Sequence, residues 1–302
     1  MTRVLVTGIN GFTGRYVAKK LAAQGHEVVG LVREGGVVPQ QDGDDSWQTY
    51  AADLGNLERI REVVAHAKPE RVVHLAAISF VSHGDINEIY QANLIGTHNL
   101  LSALANEAPN IERVLLASSA NIYGNQQGGQ LGESTVPRPS NHYGVSKLAM
   151  EHVARLMQNQ LPIIVTRPFN YTGKGQSSNF IVPKIINHAR MGKMDLELGN
   201  IDVARDFSDV RSVADIYARL LACPEAVGNT FNVCSGRAYA LRDIISMIEN
   251  LSGIRFNISV NENFVRADEI RKLFGDPAKL ESVIGQVDMP PLRDTLEWML
   301  SE

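Results

Sequence analysis

The sequence predicts an α/β fold: a doubly wound parallel sheet, with a smaller, partly discontinuous α/β unit toward the C-terminus. Three observations carry that prediction. Short β-branched apolar runs alternate with helical patterns through the first half of the chain. The runs are apolar almost throughout, as strands covered on both faces must be. The first of them ends in a glycine-spaced turn that opens a helix.

RVLVTG (3–8), EVVGLV (27–32), RVVHLAA (71–77), RVLLASS (113–119) and PIIVTRP (162–168) read as strands. Between them RYVAKKLAAQ (15–24), LERIREVVAHA (57–67), IYQANLIGTHNLLSALANE (89–107) and YGVSKLAMEHVARLMQNQ (143–160) carry helical periodicity. Residues 34–50, EGGVVPQQDGDDSWQTY, read as an irregular loop. The alternation weakens after Pro168, where a glycine-rich polar segment precedes the helical VPKIINHARMG. RDFSDVRSVADIYARLLA and TFNVCSG are expected to return a helix and a strand to the main sheet. From Ala240 to Glu302, two helical stretches mix with a polar segment around Val265–Lys279. The expected division is residues 1–167, with 202–234 returning to them, and a second unit of 168–201 plus 235–302. In open α/β sheets ligands settle outside the carboxyl ends of the strands, where the second unit would close a cleft.

With 302 residues, 44% of them hydrophobic, the chain can bury a substantial core. A formal net charge of −4 without a Lys/Arg-rich run argues against nucleic acid or an anionic membrane as partner. Cys223 and Cys234 form no CxxC, and the histidines show no metal-ligand spacing, so neither a disulfide framework nor a metal is expected. MTRVLVTG leads straight into a strand and a glycine turn, and no apolar run approaches the roughly 18 residues of a membrane span. A cytoplasmic protein is the expectation.

The turn TGINGFTG carries glycines at 8, 11 and 14. Gly8 permits the tight turn, Gly11 close approach to a pyrophosphate, and Gly14 the packing of helix on strand. Asn10, Phe12 and Thr13 complete this cradle. An acidic residue at the end of the second strand would favour NAD, and an arginine NADP. The chain reads LVRE at 31–34, so Arg33 favours NADP(H), with NAD(H) the alternative. Tyr143 and Lys147, in YGVSK, share a helix face, and a neighbouring ammonium favours a phenolate.

TGINGFTG, Asp53-Leu54 after a short strand, HLAA (74–77), SSANIYG (118–124) and YGVSK (143–147) together resemble the extended short-chain dehydrogenase/reductases, over essentially the whole chain. The resemblance implies a Rossmann domain holding a nicotinamide cofactor, with Asp53, Leu54, Leu75 and Ala76 beside it, and a C-terminal domain for a nucleotide-sugar. It implies that Tyr143 exchanges a proton with the substrate oxygen and that Ser119 hydrogen-bonds the same oxygen. Lys147 would hold the nicotinamide ribose and lower the tyrosine's pKa. It also implies a homodimer through a four-helix bundle made from the helices at 89–107 and 143–160.

RPFNYTGKGQ, NFIVPKII, LGNIDVARDFSDV, NVCSG and VRADEIRKLFGDPAKL resemble GDP-mannose 4,6-dehydratases and, more closely, GDP-4-keto-6-deoxy-mannose reductases. Carried over by motif, Asn170 would contact the diphosphate, Lys184 the base region, Arg205 and Arg266 the phosphates or ribose, and Glu269 the ribose hydroxyls. A dehydratase needs a carboxylate two residues before the tyrosine of the YG pair; Asn121 stands there, and an amide cannot take up and return a proton. The expected reaction is therefore reduction of a GDP-4-keto-6-deoxyhexose to GDP-D-rhamnose or GDP-6-deoxy-D-talose. The alternatives are a nucleotide-sugar 4-epimerase with retained NAD, the disfavoured dehydratase, and a non-catalytic nicotinamide sensor or scaffold.

Overall fold

The computed structural model describes residues 1–35, 47–79, 84–126, 129–261 and 270–301. Its centre is a seven-stranded parallel sheet. Along the chain come β1 (Arg3–Thr7), α1 (Phe12–Ala23), β2 (Glu27–Val32), β3 (Gln48–Ala51), α2 (Leu57–Ala67) and β4 (Arg71–His74). There follow α3 (Ile86–Tyr90), a π-helical turn (Gln91–Ile95), α4 (Gly96–Glu107), β5 (Arg113–Ala117), a 3₁₀ turn (Ala120–Tyr123), α5 (His142–Leu156) and β6 (Ile163–Pro168). The second half supplies β7 (Asn170–Thr172), α6 (Ile181–Arg190), β8 (Asp195–Leu198), β9 (Ala204–Arg205), β10 (Phe207–Asp209), α7 (Val210–Ala222) and β11 (Thr230–Val233). It ends with β12 (Tyr239–Ala240), α8 (Leu241–Ser252), β13 (Asn257–Val260), β14 (Lys272–Leu273), α9 (Ala278–Ile284) and α10 (Leu292–Leu300).

The strand order is β11-β6-β5-β4-β1-β2-β3, with every pairing parallel. The direction of winding reverses between β1 and β4, which opens a crevice at their carboxyl ends. Alternation within β1 shows how both faces fill. Val4 and Val6 join the core beneath α1 and α7, and Leu5 joins that beneath α2, α4 and α5. Each such side chain, fully withdrawn from water, contributes about 1.5–3 kcal/mol. A third core gathers Val182, Ile185 and Ile186 of α6, Ile244 and Ile248 of α8, and Leu296 of α10, away from the large sheet.

Two departures from the sequence reading are informative. Gln48–Ala51, the tail of the predicted loop, pairs with β2 as the edge strand. Its residues are half polar and only partly buried, so apolar alternation does not mark it. The helix predicted over 89–107 starts earlier, at a cap where Asp85 accepts the amides of Asn87 and Glu88, and is interrupted by the π turn. As expected, α7 packs on α1 and β11 extends the sheet beyond β6. Among the described residues no helix is long and apolar enough to cross a membrane, and no cluster of potential metal ligands occurs.

Candidate active site

A cleft of about 1270 Å³ runs from the glycine turn after β1, past the ends of β4 and β5, to α6 and β9. Gly8, with φ +70°, turns the chain so sharply that a Cβ there would lie 3.0 Å from the Ala76 nitrogen. At Gly14 a Cβ would sit 2.2 Å from the Gly8 carbonyl oxygen, so only glycine lets α1 lie this close to the turn. Gly11 caps α1 with no side-chain acceptor and no acidic residue in the first turn, leaving a helix N-terminus suited to an anion. Phe12 stacks on Tyr171 at 6.0 Å, and Thr13 Oγ1 lies 2.8 Å from the Tyr171 hydroxyl, joining the turn to β7. The Ser118 hydroxyl is buried on the cleft wall and has no hydrogen-bond partner among the described residues. An open pyrophosphate cradle and an orphaned hydroxyl fit a dinucleotide.

Of the residues the sequence nominates, Gly8, Gly11, Phe12, Thr13, Gly14, Leu75, Ser119, Tyr143, Lys147, Asn170, Lys184 and Arg205 line this cleft. Asn10, Arg33, Asp53, Leu54 and Ala76 stand outside its described walls. Arg33 is exposed just beyond β2. Asp53 accepts the Gly55 amide, the Leu54 carbonyl accepts from Asn99, and the Ala76 amide donates to Thr7. Arg266 and Glu269 lie outside the described residues.

Tyr143 and Lys147 are both buried, one turn apart on α5, whose N-cap Asn141 accepts the Gly144 amide. Ser119 caps the 3₁₀ turn opposite, and its hydroxyl favours the ionised form of the Tyr143 phenol. The expected downward pull of Lys147 on the phenol is not what the protein alone produces. Burial pushes Tyr143 up to about 12, and the Ser119 hydroxyl opposes this without reversing it. Burial also brings Lys147 from 10.5 down to about 8, with Glu151 acting in the other direction. The ammonium donates to the Ala117 carbonyl at 2.8 Å.

The sign of the consequence is definite. Between pH 8 and 10.5 native Lys147 has released its proton while the unfolded chain still holds one, so stability climbs with pH through that window. The gain is at most about 3 kcal/mol. Urea unfolding at pH 7.5 and pH 9.5 is expected to show this rise in the native protein and not in Lys147→Met.

At the far end, Val182, Ile185 and Ile186 face the third core, which turns Lys184, Asn187 and His188 of α6 to the cleft. The Lys184 ammonium donates to the Glu197 carbonyl at 2.6 Å, and the Arg205 guanidinium to the carbonyls of Ala204 and Arg271. Asp206, fully buried, accepts the Ser235 amide and hydroxyl and the Gly236 amide, binding this end to the segment after β11.

Sequence reasoning missed two features. His74, buried between Thr7 and Thr97 at 2.7 and 2.9 Å, is pushed down to about 3 by burial and stays neutral. Tyr171 enters the cleft wall beside Tyr143. The HLAA and FNYTG motifs contain both, but only folding reveals their partners.

A glycine-turn helix, a crevice at the strand reversal and a buried Ser/Tyr/Lys set define an enzyme working with a nicotinamide dinucleotide. The model of the NAD dependent epimerase/dehydratase family matches residues 4–234, and the chain belongs to that family, among the extended short-chain dehydrogenase/reductases. It is 36% identical to the GDP-6-deoxy-D-talose 4-dehydrogenase of Aggregatibacter actinomycetemcomitans, over 94% of this chain and 91% of that one. It is 31% identical to the GDP-6-deoxy-D-mannose reductase of Pseudomonas aeruginosa, over 99% and 96%. Among solved structures, a Burkholderia cenocepacia J2315 protein provisionally described as an epimerase superimposes with a TM-score of 0.92 at 43% identity, covering 99% and 97% of the two chains. RMD from Pseudomonas aeruginosa, complexed with NADPH, does so with a TM-score of 0.83 at 31% identity, covering 100% and 97%.

Proposed function

We propose that the protein reduces a nucleotide-linked 4-keto-6-deoxyhexose, GDP-4-keto-6-deoxy-D-mannose above others, with NADPH as the favoured reductant and NADH the alternative. The observation that carries this reading is the make-up of the cleft. Its described walls hold Ser119, Tyr143, Lys147, Lys184 and Arg205 but no Asp or Glu. Cations suit two diphosphates, because charge-assisted hydrogen bonds are the stronger ones. The missing carboxylate, with Asn121 in its place, removes the acid/base that dehydration requires. The relatives that act on GDP-6-deoxyhexoses support the same substrate class.

In this reading Gly11, Phe12 and Thr13 hold the dinucleotide's pyrophosphate, Lys147 its nicotinamide ribose, and exposed Arg33 a 2′-phosphate. Asn170, Lys184 and Arg205 hold the sugar nucleotide, together with Arg266 and Glu269. When bound, the dinucleotide supplies the hydride to C4. Tyr143 and Ser119 donate hydrogen bonds to the keto oxygen, and Tyr143 then gives that oxygen its proton. A phenol held at about 12 enters the reaction protonated, as the proton donor of a reduction must. Lys147 stabilises the phenolate left behind. The product is GDP-D-rhamnose or GDP-6-deoxy-D-talose.

The corresponding division assigns residues 1–167 and 202–234 to the cofactor and 168–201 and 235–302 to the nucleotide-sugar. A cytoplasmic homodimer through α4 and α5 completes the reading; Val145 and Leu156 expose apolar surface on α5, and Ile95 does so at the entrance to α4.

The test is incubation with GDP-4-keto-6-deoxy-D-mannose and either NADPH or NADH, with NMR of the product. Stoichiometric reductant consumption and a single C4-reduced sugar are expected. Co-purifying NAD with 4-epimer interconversion and no net redox would establish the epimerase reading instead.

A further inference from the structure

We propose that Asn121 is a positioning residue: by donating both its backbone N–H and its side-chain amide to the Ser119 oxygen, it fixes the direction in which the Ser119 hydroxyl donates. This rests on the reductase reading and concerns the same site.

The Ser119 oxygen receives the Asn121 amide nitrogen and Asn121 Nδ2, each at 3.2 Å. A hydroxyl oxygen has two acceptor positions and one hydrogen to give. With both positions filled, the Ser119 hydroxyl can act only as a donor, and its one hydrogen is left for the keto oxygen. Ser119 then has no position from which to accept the Tyr143 proton, which stays available for the same keto oxygen. Without the second donor the serine rotor would accept from Tyr143 part of the time, and the proton needed for the ketone would be held by the wrong partner.

The surroundings hold this arrangement rigidly. Gly144 follows Tyr143 on α5, and a Cβ there would lie 2.8 Å from the Asn121 carbonyl oxygen, so the 3₁₀ turn and α5 are in direct contact. Ser119 is only 4% exposed, and Asn121 lines the cleft beside it. The other titratable groups around Tyr143 are Lys147 one turn along α5, Tyr171 from β7 and Tyr217 from α7. None is a carboxylate.

Asn121→Asp keeps the backbone donor and the shape but replaces the side-chain donor by an acceptor whenever the carboxyl is ionised. At pH 8 kcat is expected to fall about 30-fold or more, with KM for both substrates changed less than about threefold. Activity should recover as the pH is lowered and the carboxyl regains a proton to donate. Asn121→Ala should lose about tenfold in kcat without that acid-side recovery.

A second readout needs no substrate. With 3-fluorotyrosine at position 143, ¹⁹F NMR follows the phenol directly. Its ionisation should move upward by about one pH unit in Asn121→Asp, and by less in Asn121→Ala. Unchanged kcat and an unmoved phenol would overturn the assignment, as would a loss of kcat with a flat pH profile and an unmoved phenol, which marks mere packing. If the protein with Asn121 reduces no GDP-4-ketosugar, the reductase reading falls while the ¹⁹F shift still decides the role of Asn121.

Discussion

Tyr143→Phe is expected to lower kcat about a thousandfold, within the range that one positioned proton donor contributes. The phenol's ring is buried against the cleft wall and its oxygen faces Ser119, so the substitution removes the proton while preserving shape. Binding of the dinucleotide, followed by fluorescence titration, should change by no more than about threefold, because the proton acts in the transition state rather than in the ground state. The native rate is expected to fall as the phenol ionises at high pH, and the residual rate of the variant is expected not to. A variant retaining a tenth of native kcat would mean that the proton comes from elsewhere, and the mechanism would fail.

Glu151→Ala is expected to cost about 3–5 kcal/mol of stability, because it strands a buried cation. Glu151 lies two turns beyond Tyr143 on α5, and its two oxygens accept from Arg167 at 3.0 and 2.7 Å. Both side chains are almost wholly buried, at 4% and 7% exposure. Arg167 also donates to the Tyr123 hydroxyl and the Glu133 carbonyl, and Tyr123 in turn donates to Asn232. The ion pair therefore joins α5 to β6 and, through Tyr123, to β11. Thermal unfolding should drop by roughly 10 °C. Glu151→Leu with Arg167→Met should recover most of the loss, since an apolar pair of similar volume carries no desolvation cost and Tyr123 keeps its bond to Asn232. If the single variant unfolds at the native temperature, the pair is not structurally required.

Much of the fold is legible because parallel strands buried on both faces leave an unmistakable apolar rhythm. RVLVT, EVVGLV and IIVTRP became β1, β2 and β6 within a residue or so of their expected limits. QTYA escaped because an edge strand is apolar on neither face. The site divides in the same way. Positions fixed by local geometry, such as the glycines of the turn and the i, i+4 pair on α5, can be read from spacing alone. Ionisation cannot, because it follows from burial. Adjacency in sequence suggested that Lys147 would dominate Tyr143, whereas desolvation of the folded site dominates both. The bond from Asn121 to Ser119 also depends on the tight 3₁₀ turn, which the letters SSANIYG do not announce.

The place of β11 has a consequence for the nascent chain. β6 ends at Pro168, but the neighbour that covers its outer edge ends at Val233, 65 residues later (233 − 168). At typical rates of synthesis that interval lasts roughly 3–13 s. Throughout it, the growing polypeptide presents a row of unsatisfied amides and carbonyls on an otherwise apolar strand, the kind of surface on which neighbouring ribosomal products stick together. Shielding by chaperones should therefore matter most while residues between β6 and β11 are being translated.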